Sequence, residues 1–357
     1  MYKLLASLCL LVASSCVAAH LVPATHYALQ YEGRSVKDYA SGKVQISWPG
    51  TKLKTRFVGR QLSVTMAGKG DHFDVVIDGQ LTNKLITHVG SGVETYLLFD
   101  SETEQNVVIE LVKRTENYEA MSELISIEHD GYLEGVWRDQ PHILFIGDSI
   151  SAGFGSESNK RECTWEEVYA TSNARLAFPY QTGLALDASI TQISFSGLGL
   201  IRNWNGNQPY HDLTYYADKA SAVFGQSAAF EDTAPDLIVI EVGTNDFSTD
   251  PLPHEPWQDI DEVKVDWVHR MVSFVEELKS RYDGVNVILM PRPAYPYDYI
   301  IPATNDAIAI LTAKGLEGVY SHVFVSPLEG CIWHPTVQEH KTIAHKLSEY
   351  IKQNNLL

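Results

Sequence analysis

The first half of the chain alternates apolar and polar residues with the period of a β-strand. Between residues 26 and 135, runs such as Val44, Ile46 and Trp48 place every second side chain on one face. The segments LKTRF, LSVTM, HFDVVIDG, TYLLFDS and NVVIELVKR repeat this alternation, with Gly, Asp and Asn between them. Short alternating runs separated by turn residues predict an all-β domain of the jelly-roll or sandwich type.

The second half changes to apolar runs that alternate with helical segments. The runs HILFIG, ITQISFSG, DLIVIEVG, NVILMPRP and VYSHVFVS predict strands. Apolar residues three or four positions apart predict helices over residues 267–278 and 336–351. Strands that are apolar throughout and alternate with helices predict an α/β domain whose parallel sheet is covered on both faces.

The N-terminal residues have the pattern of a secretory signal. Lys3 is followed by an apolar stretch and then by small residues up to Ala19. We therefore expect a signal peptide over residues 1–19, an all-β domain over 20–138 and an α/β domain over 139–357. Cleavage after Ala19 implies a secreted or periplasmic protein, and a lipoprotein anchored at Cys16 is the alternative.

Composition and charge exclude other classes of partner. With 45% hydrophobic and 20% charged residues, the 357-residue chain has the composition of a soluble globular protein. Its formal net charge of -18 argues against a nucleic-acid partner, because the phosphate backbone is itself negative. Beyond the signal, no stretch is long and apolar enough to predict a membrane span, and we expect a monomer.

The candidate chemistry lies at the ends of four predicted strands. The tripeptide GDS, with Ser149, ends the first of them, and Gly197 follows the second. The block GTND, with Asn245, follows the third, and His334 lies after the last. Because ligands bind beyond the carboxyl ends of the strands in an open parallel sheet, we expect these residues to converge.

Together these residues supply the parts of a serine hydrolase. Such an enzyme needs a hydroxyl nucleophile, a histidine base and preorganised N–H donors for the oxyanion. Ser149 is the candidate nucleophile, with Ser151 as the next, and His334 is the candidate base. The backbone N–H groups of Ser149 and Gly197 and the side-chain amide of Asn245 are the candidate oxyanion donors.

The same blocks resemble a known family. GDSI, the glycine of FSGLG, GTND and WHP are similar, in this order, to the four blocks of the SGNH hydrolases. The all-β first half, together with CTWEE and GCIWHP, narrows the resemblance to carbohydrate esterase family 2 over nearly all of the mature chain. The resemblance implies a flavodoxin-like, three-layer α/β/α hydrolase domain. It also implies removal of acetyl groups from plant polysaccharides such as xylan and glucomannan, without a metal or cofactor.

The histidine loop departs from the pattern of many SGNH hydrolases. They place an aspartate three residues before the histidine, where this chain has Cys331. The family includes members that work as a Ser–His dyad with a main-chain carbonyl as the orienting group, and the resemblance implies that role for Ile332 or Trp333. Asp246 and Glu329 are the candidates if a carboxylate serves instead. We expect the dyad, with Asp246 shaping its own loop.

Two further groups of residues bear on the site. Cys163 and Cys331 remain after removal of the signal, and we expect them to form a disulfide in an oxidising compartment. Each lies close in sequence to a catalytic residue, so the bond should lie near the catalytic edge. Trp204, Trp257 and Tyr297 lie in loops that mix aromatic and polar residues, as surfaces that stack on sugar rings do. Packing is the alternative role for each of the three.

Two other functions stay open at this stage. A carbohydrate-binding protein with an inactive hydrolase domain would explain the missing aspartate, and an SGNH lipase or thioesterase would explain the catalytic blocks. Intact Ser149, Gly197, Asn245 and His334 favour an enzyme, and polar groups among the loop aromatics favour a sugar substrate. The sequence therefore predicts a secreted serine esterase that acts on acetylated polysaccharides or oligosaccharides.

Overall fold

The structure is a computed structural model that describes residues 19–90, 92–223, 229–230, 232–294 and 298–357. The predicted signal peptide up to residue 18, with the alternative lipid site at Cys16, lies outside the described residues. Within the described ranges, no helix combines the length and the apolarity that a membrane span requires.

The first half of the chain forms an antiparallel domain, here called the β-domain. Its strands are β1 (His20–Pro23), β2 (Gln30–Glu32), β3 (Ser35–Asp38), β4 (Lys43–Ile46), β5 (Lys52–Ala67), β6 (His72–Ile77), β7 (Gln80–Ile86), β8 (Val93–Lys113), β9 (Ser122–His129) and β10 (Tyr132–Glu134). They pair in the order β3-β4-β9-β5-β8-β6-β7, with β1 beside β9 and with β2 and β10 beside β5. The prediction of an all-β first domain is confirmed.

The long strand β5 shows how the alternating pattern produces this sheet. Leu53 and Phe57 are buried near its start, and Leu62, Val64 and Met66 are buried near its end. The buried positions change from odd to even numbers because the register against β8 shifts between residues 59 and 61. The bulge keeps all these side chains in one core.

The prediction that Trp48 shares a face with Val44 and Ile46 is wrong in one respect, because Trp48 packs in a different core. The residue lies beyond the end of β4 and does not join the core that contains Val44 and Ile46. Its buried ring packs edge-on against Tyr216 in the core of the second domain, and its indole N–H donates to the Lys219 carbonyl at 3.3 Å. A residue that continues the alternation in sequence therefore serves the interface between the domains.

The second half of the chain is a three-layer α/β/α domain, here called the α/β domain. Its strands β11 (His142–Gly147), β12 (Ser189–Ser194), β13 (Leu237–Glu241), β14 (Asn286–Leu289) and β15 (Val319–Ser321) form a parallel sheet in the order β12-β11-β13-β14-β15. Its helices are α1 (Ser149–Ala152), α2 (Trp165–Thr171), α3 (Phe178–Leu186), α4 (Leu213–Tyr216), α5 (Ile260–Arg281), α6 (Ile300–Ala313) and α7 (Val337–Gln353). The predicted flavodoxin-like architecture is confirmed.

Both faces of this sheet are buried, which explains why its strands are apolar throughout. In β11, Leu144 and Ile146 pack with residues of α5 and α6, whereas Ile143 and Phe145 pack with residues of α3 and α7. At least two strands are shorter than their predicted runs: β14 covers only NVIL of the run NVILMPRP, and β15 covers only VYS of the run VYSHVFVS. The expected domain boundary at residue 138 lies in the irregular segment between β10 and β11.

The two predicted helices are confirmed: α5 extends beyond the predicted residues 267–278 at both ends, and α7 begins one residue after the predicted start at 336 and ends two residues later than predicted. Helix α5 begins after Asp259, whose side chain accepts a hydrogen bond from the Glu262 N–H at 3.0 Å. Helix α7 begins after Thr336, which forms a capping box with Glu339. These caps satisfy N–H groups that the first turn of a helix leaves without acceptors. The cap of α7 fixes the chain two residues after His334.

A buried ionic network joins the two domains. Arg114, just after β8, pairs with Asp74 of β6 at 3.0 Å and also contacts Glu157 of the α/β domain. Asp74 in turn accepts hydrogen bonds from Arg175 at 2.5 Å and from Asn173 at 3.3 Å. Opposite charges therefore meet across the interface, and this arrangement restrains how the domains pack.

We expect Arg114→Met to lower the free energy of unfolding by about 3 kcal/mol, because it removes a cation from a buried network. Urea denaturation followed by circular dichroism measures the change. The matched control is Arg138→Met, since the Arg138–Asp187 pair at 2.9 Å is exposed and an exposed pair contributes little. Equal losses of stability in the two variants would contradict the interface role.

Candidate active site

The candidate nucleophile lies where β11 ends in a tight turn. Asp148 caps the short helix α1 by accepting a hydrogen bond from the Ile150 N–H at 2.9 Å, and Ser149 is the first residue of that helix. Gly147 is required because a Cβ there would lie 2.1 Å from the Ser151 Oγ. The turn thus places Ser149, a residue 5% exposed, at the carboxyl end of β11.

The structure brings His334 to Ser149. The Nε2 of His334 lies 2.7 Å from the Ser149 Oγ. The Nδ1 of the same ring lies 2.8 Å from the Ile332 carbonyl oxygen and 3.1 Å from the Cys331 carbonyl oxygen. Because carbonyl oxygens only accept hydrogen bonds, Nδ1 carries the hydrogen and Nε2 is the nitrogen that can accept the serine proton.

The backbone of the histidine loop explains which carbonyls face the ring. Ile332 and Trp333 have φ angles of 49° and 54°, in the left-handed region that residues with a Cβ rarely adopt. This turn directs the carbonyls of Cys331 and Ile332 towards Nδ1. Ile332 and Trp333 were the two residues expected to offer a main-chain carbonyl to His334. The Ile332 carbonyl does contact Nδ1, whereas the other carbonyl in contact belongs to Cys331 and not to Trp333.

His334 is neutral in the resting site. Burial lowers the pKa of His334 to about 4, the two loop carbonyls act in the opposite direction, and Arg292 lowers the pKa further. The Phe154 ring, whose centroid lies 4.4 Å from that of His334, covers the imidazole. A neutral imidazole is the form that can take a proton from serine.

Neither candidate carboxylate contacts the histidine. Asp246 is fully buried and accepts hydrogen bonds from the three successive backbone N–H groups of residues 200–202 at 2.9–3.0 Å. Glu329 is exposed on the surface. Among the described residues, the nitrogens of the His334 ring contact the Ser149 hydroxyl and the two loop carbonyls. Asp246 therefore anchors the loop of residues 200–202, which follows β12, rather than the loop of its own GTND block, which was the expectation.

The candidate oxyanion donors lie at the ends of three neighbouring strands. Gly197 follows β12, and its φ of 83° lies in the left-handed region that glycine adopts without strain. A Cβ at Gly197 would meet no atom within 4 Å, so the reason for a glycine at this position is the backbone angle and not a lack of space. The Asn245 amide, beyond β13, donates to the Leu198 carbonyl at 2.8 Å and to Asp148 at 3.4 Å. These bonds tie the three loops together at the edge of the sheet.

Two buried carboxyl groups lie behind the nucleophile. Glu241, at the end of β13, accepts a hydrogen bond from the Ser151 Oγ at 2.9 Å. Burial raises the pKa of Asp148 to about 6. Burial and the neighbouring Asp148 raise the pKa of Glu241 well above its ordinary range. Ser151 is fully buried and its hydroxyl donates to Glu241, so a substrate carbonyl cannot reach it. This environment argues against Ser151 as the alternative nucleophile. Glu241 escapes sequence-based prediction because it ends an apolar run.

The candidate aromatic residues occupy different environments. Trp204 is 51% exposed, and its backbone N–H donates to the Gly197 carbonyl at 2.8 Å, which places it beside the candidate oxyanion loop. Trp257 packs against the core of the α/β domain, and its indole N–H donates to Asp266 at 2.8 Å. Its contacts are those of a packing residue. Tyr297 lies outside the described residues.

An aromatic pair that the sequence pattern did not predict as part of the site lies beside His334. Phe154 contacts the His334 ring, and the Trp165 ring packs edge-on against Phe154 with 6.3 Å between the ring centroids. Trp165 is 74% exposed at the start of α2. The signal that could have identified it is a large aromatic residue within CTWEE, one of the motifs that carry the family resemblance.

A disulfide joins the loop before His334 to the loop before α2. Cys163 and Cys331 are bonded, with their Cα atoms 5.5 Å apart and a sequence separation of 168. The Ile332 N–H donates to the Arg161 carbonyl at 2.8 Å, and the Arg161 side chain donates to two carbonyls of the histidine loop. The covalent bond and these hydrogen bonds together restrain the turn whose carbonyls orient His334.

We expect the double variant Cys163→Ser/Cys331→Ser to lose about 2–5 kcal/mol of unfolding free energy, the usual cost of removing a native disulfide. The loss arises because the unfolded chain gains freedom when the bond is absent. Urea denaturation measures it, and a reductant is the control, since it should destabilise the wild type and leave the variant unchanged. Alkylation of both cysteines in the native, unreduced protein would contradict the bond.

Comparison with known proteins relates both halves of the chain to one family. Residues 31–133 match the model of the carbohydrate esterase 2 N-terminal domain, and residues 145–325 match that of the GDSL-like lipase/acylhydrolase family. An acetylxylan esterase/glucomannan deacetylase from Cellvibrio japonicus (strain Ueda107) is 28% identical over 310 residues, 86% of this chain and 85% of that protein. The cellulase/esterase CelE of Acetivibrio thermocellus is 24% identical over 316 residues, 86% of this chain and 37% of that protein.

Solved structures share the fold. A carbohydrate esterase whose active site displays divergent catalytic and non-catalytic binding functions has a TM-score of 0.81 at 27% identity, over 91% of this chain and 97% of that chain. A family two carbohydrate esterase from Clostridium thermocellum, in complex with cellohexaose, has a TM-score of 0.80 at 23% identity, over 92% of this chain and 100% of that chain. With both domains matched, the chain belongs to the GDSL-like lipase/acylhydrolase family through its second half and is a family 2 carbohydrate esterase, and thus a carboxylic ester hydrolase.

Proposed function

We propose that this esterase removes O-acetyl groups from plant polysaccharides such as xylan and glucomannan, with Ser149 and His334 acting as a catalytic dyad. The observation that carries the proposal is the 2.7 Å contact between the His334 Nε2 and the Ser149 Oγ at the carboxyl end of the parallel sheet. Similarity to proteins named acetylxylan esterase/glucomannan deacetylase supports acetyl esters of polysaccharides as the substrate class.

The first half-reaction forms an acetyl-enzyme. The His334 Nε2 takes the Ser149 proton as the Oγ attacks the acetyl carbonyl carbon, whose oxygen becomes the oxyanion. The tetrahedral intermediate collapses when His334 gives that proton to the sugar oxygen, which leaves as an alcohol. In the second half-reaction His334 takes a proton from water, the hydroxide attacks the acetyl carbon, and acetic acid leaves as Ser149 regains its proton.

Two carbonyls take the place of a carboxylate in orienting His334. The contacts of Nδ1 with the Ile332 and Cys331 carbonyls, at 2.8 and 3.1 Å, fix the tautomer and the plane of the ring. Carbonyl dipoles stabilise the imidazolium less than a full negative charge does, in keeping with a His334 pKa of about 4. His334 therefore stays neutral, and can accept a proton, down to mildly acidic pH.

The proposed oxyanion hole consists of the backbone N–H groups of Ser149 and Gly197 and the side-chain amide of Asn245. Among the described residues, no protein acceptor is bonded to either backbone N–H, so both are available to a substrate oxygen. The bond from the Asn245 amide to Asp148 is long, at 3.4 Å, and this N–H is the one that a developing oxyanion would attract.

Exposed aromatic rings around the site suit a sugar substrate. Trp204 lies beside Gly197, and Trp165 lies beside the Phe154 ring that covers His334. Such rings bury apolar area against sugar faces while the edges stay in contact with water. The cellohexaose complex of a structural relative supports a glycan ligand. An SGNH lipase or thioesterase would instead need a continuous apolar surface for an acyl chain.

We further propose a monomeric protein that acts outside the cytoplasm, secreted or periplasmic after cleavage following Ala19. Anchoring at Cys16 is the alternative. The Cys163–Cys331 disulfide supports an oxidising compartment, where such bonds persist. We place the boundary between the two domains at residue 138.

Release of acetate from acetylated xylan, glucomannan and cello-oligosaccharides tests the proposed function. We expect Ser149→Ala to abolish hydrolysis of these substrates and of para-nitrophenyl acetate without changing the Tm, because it removes only the nucleophile. Ser151→Ala is the matched control, and it should keep the chemistry while lowering the Tm. Acetate release by Ser149→Ala above a few per cent of the wild-type rate would move the nucleophile elsewhere. A wild-type preference for long acyl chains would favour a lipase.

We expect Glu329→Gln to leave kcat unchanged and Asp246→Asn to reduce it by far less than the roughly 10⁴-fold loss caused by replacing a triad aspartate. The reason is that Asp246 anchors the loop of residues 200–202 and does not contact His334. Steady-state kinetics on protein checked by circular dichroism measure both variants. A loss of about 10⁴-fold in either would replace the dyad with a triad.

We expect kcat/KM to persist as the pH falls and to decline only near the His334 pKa of about 4. The base must be neutral, and because burial lowers its pKa, protonation sets in at lower pH than for an ordinary histidine near about 6.5. The dependence of kcat/KM on pH measures this decline on the acidic side of the profile. Asp148→Asn is the control, since Asp148, with a pKa raised to about 6, also titrates near Ser149. A decline of kcat/KM near pH 6.5 in both the wild type and Asp148→Asn would contradict the expectation.

A further inference from the structure

Glu116 of the β-domain reaches the edge of the active site. It lies in the turn between β8 and β9, and its carboxylate accepts two hydrogen bonds from Ser196 of the α/β domain. One comes from the Ser196 backbone N–H, and the other, at 2.6 Å, comes from the Ser196 Oγ. Ser196 immediately precedes Gly197, whose N–H is a proposed oxyanion donor.

These two bonds restrain the peptide group that carries the Gly197 N–H. A carboxylate that holds both the backbone N–H and the hydroxyl of Ser196 fixes that residue, and the following peptide group is attached to it. The Phe195 N–H donates to the Gly147 carbonyl at 3.4 Å, so pairing with β11 is already weak where the chain leaves β12. Glu116 therefore provides the shorter contacts at the start of the loop.

Two carboxylates hold opposite ends of the same loop. Asp246 accepts hydrogen bonds from residues 200–202 on the C-terminal side, and Glu116 accepts from Ser196 on the N-terminal side. Between these anchors, Gly197 adopts a φ of 83°. The loop contains no helix or strand, so its rigidity depends on these anchors together with the bonds that the Gly197 and Leu198 carbonyls accept from the Trp204 N–H and the Asn245 amide, both at 2.8 Å. An oxyanion donor needs such rigidity before the substrate arrives.

The turn that carries Glu116 is itself restrained. The Asn117 amide donates to Asp71 at 3.2 Å, and its oxygen accepts from the N–H groups of residues 119–120 at 2.9 and 3.2 Å. Lys113, fully buried, pairs with the same Asp71 at 2.8 Å. Glu116 is half-buried, and burial raises its pKa to about 7.

We propose that Glu116 is a positioning residue of the oxyanion hole, which holds Ser196 so that the Gly197 N–H points at the developing oxyanion. This inference rests on the proposed function, in which Gly197 is an oxyanion donor. It gives the β-domain a part in catalysis, because a side chain of that domain orients a donor of the other. An α/β domain without its β-domain would lack this contact.

Kinetics of Glu116→Ala, Glu116→Gln and Glu119→Ala on para-nitrophenyl acetate test the proposal. We expect Glu116→Ala to lower kcat by about 10–100-fold, less than the full loss of one donor, while KM changes by less than about threefold. Glu116→Gln should keep kcat within about fivefold, since its amide oxygen still accepts from the Ser196 N–H and its amide group can donate to the Oγ. Glu119→Ala, exposed in the same turn, is the matched control and should keep the wild-type kcat.

A tetrahedral inhibitor separates positioning from general damage. Methylboronic acid adds to the Ser149 Oγ and places a boron-bound oxygen at the oxyanion position. We expect Glu116→Ala to weaken this inhibition by about the factor by which kcat/KM falls, and to leave binding of a non-acetylated cello-oligosaccharide unchanged. Unchanged boronate inhibition, or a wild-type kcat in Glu116→Ala, would overturn the proposal. So would an equal loss of oligosaccharide binding.

Should Glu116→Ala fail to fold, Ser196→Ala carries the test, because it removes the Oγ bond and leaves the carboxylate in place. We expect about 3–10-fold lower kcat at constant KM, the range that the loss of one hydrogen bond gives. A wild-type kcat in Ser196→Ala overturns the proposal. A wild-type enzyme that releases no acetate from any ester would instead overturn the proposed function, since each variant is measured relative to an active enzyme.

Discussion

The hydrogen bond between Ser149 and His334, 2.7 Å long, is the interaction on which the rest of the site depends. It joins residues 185 positions apart and requires that the Nε2 lone pair point at a hydroxyl. The tight turn after β11 presents that hydroxyl, and the left-handed turn at Ile332 orients the imidazole. The Cys163–Cys331 disulfide and the capped start of α7 hold the histidine loop on both sides.

Three acidic residues around this bond hold backbone N–H groups rather than the histidine. Asp148 accepts from the N–H at the start of α1, Asp246 accepts from three successive N–H groups, and Glu116 accepts from Ser196. A carboxylate that accepts several N–H bonds fixes a loop, and rigid loops are what an oxyanion hole requires. The His334 Nδ1 contacts two carbonyl oxygens and no carboxylate among the described residues. Because burial lowers its pKa to about 4, the imidazole is neutral in the resting enzyme.

The contacts between the domains indicate that they act as one unit. Trp48 of the β-domain fills the core of the α/β domain, and Arg114 and Asp74 form buried ionic contacts with it. The chain between β10 and β11 is short, so the domains are not connected by a long flexible linker. This close packing gives a physical reason why an all-β domain accompanies the hydrolase domain: it stabilises the catalytic domain and contacts the loop of a proposed oxyanion donor.

The sequence by itself determined the fold class and the catalytic blocks, because both are written in local patterns. A period of two, apolar runs that alternate with helices, and motifs such as GDS, GTND and WHP each depend on residues a few positions apart. Only the tertiary structure decided which groups meet across long separations. It showed that the Cys331 carbonyl contacts the His334 Nδ1, that Ser151 donates to Glu241, and that Trp48 packs in the core of the other domain. Such contacts depend on how loops and domains pack, and no spacing along the chain encodes that packing.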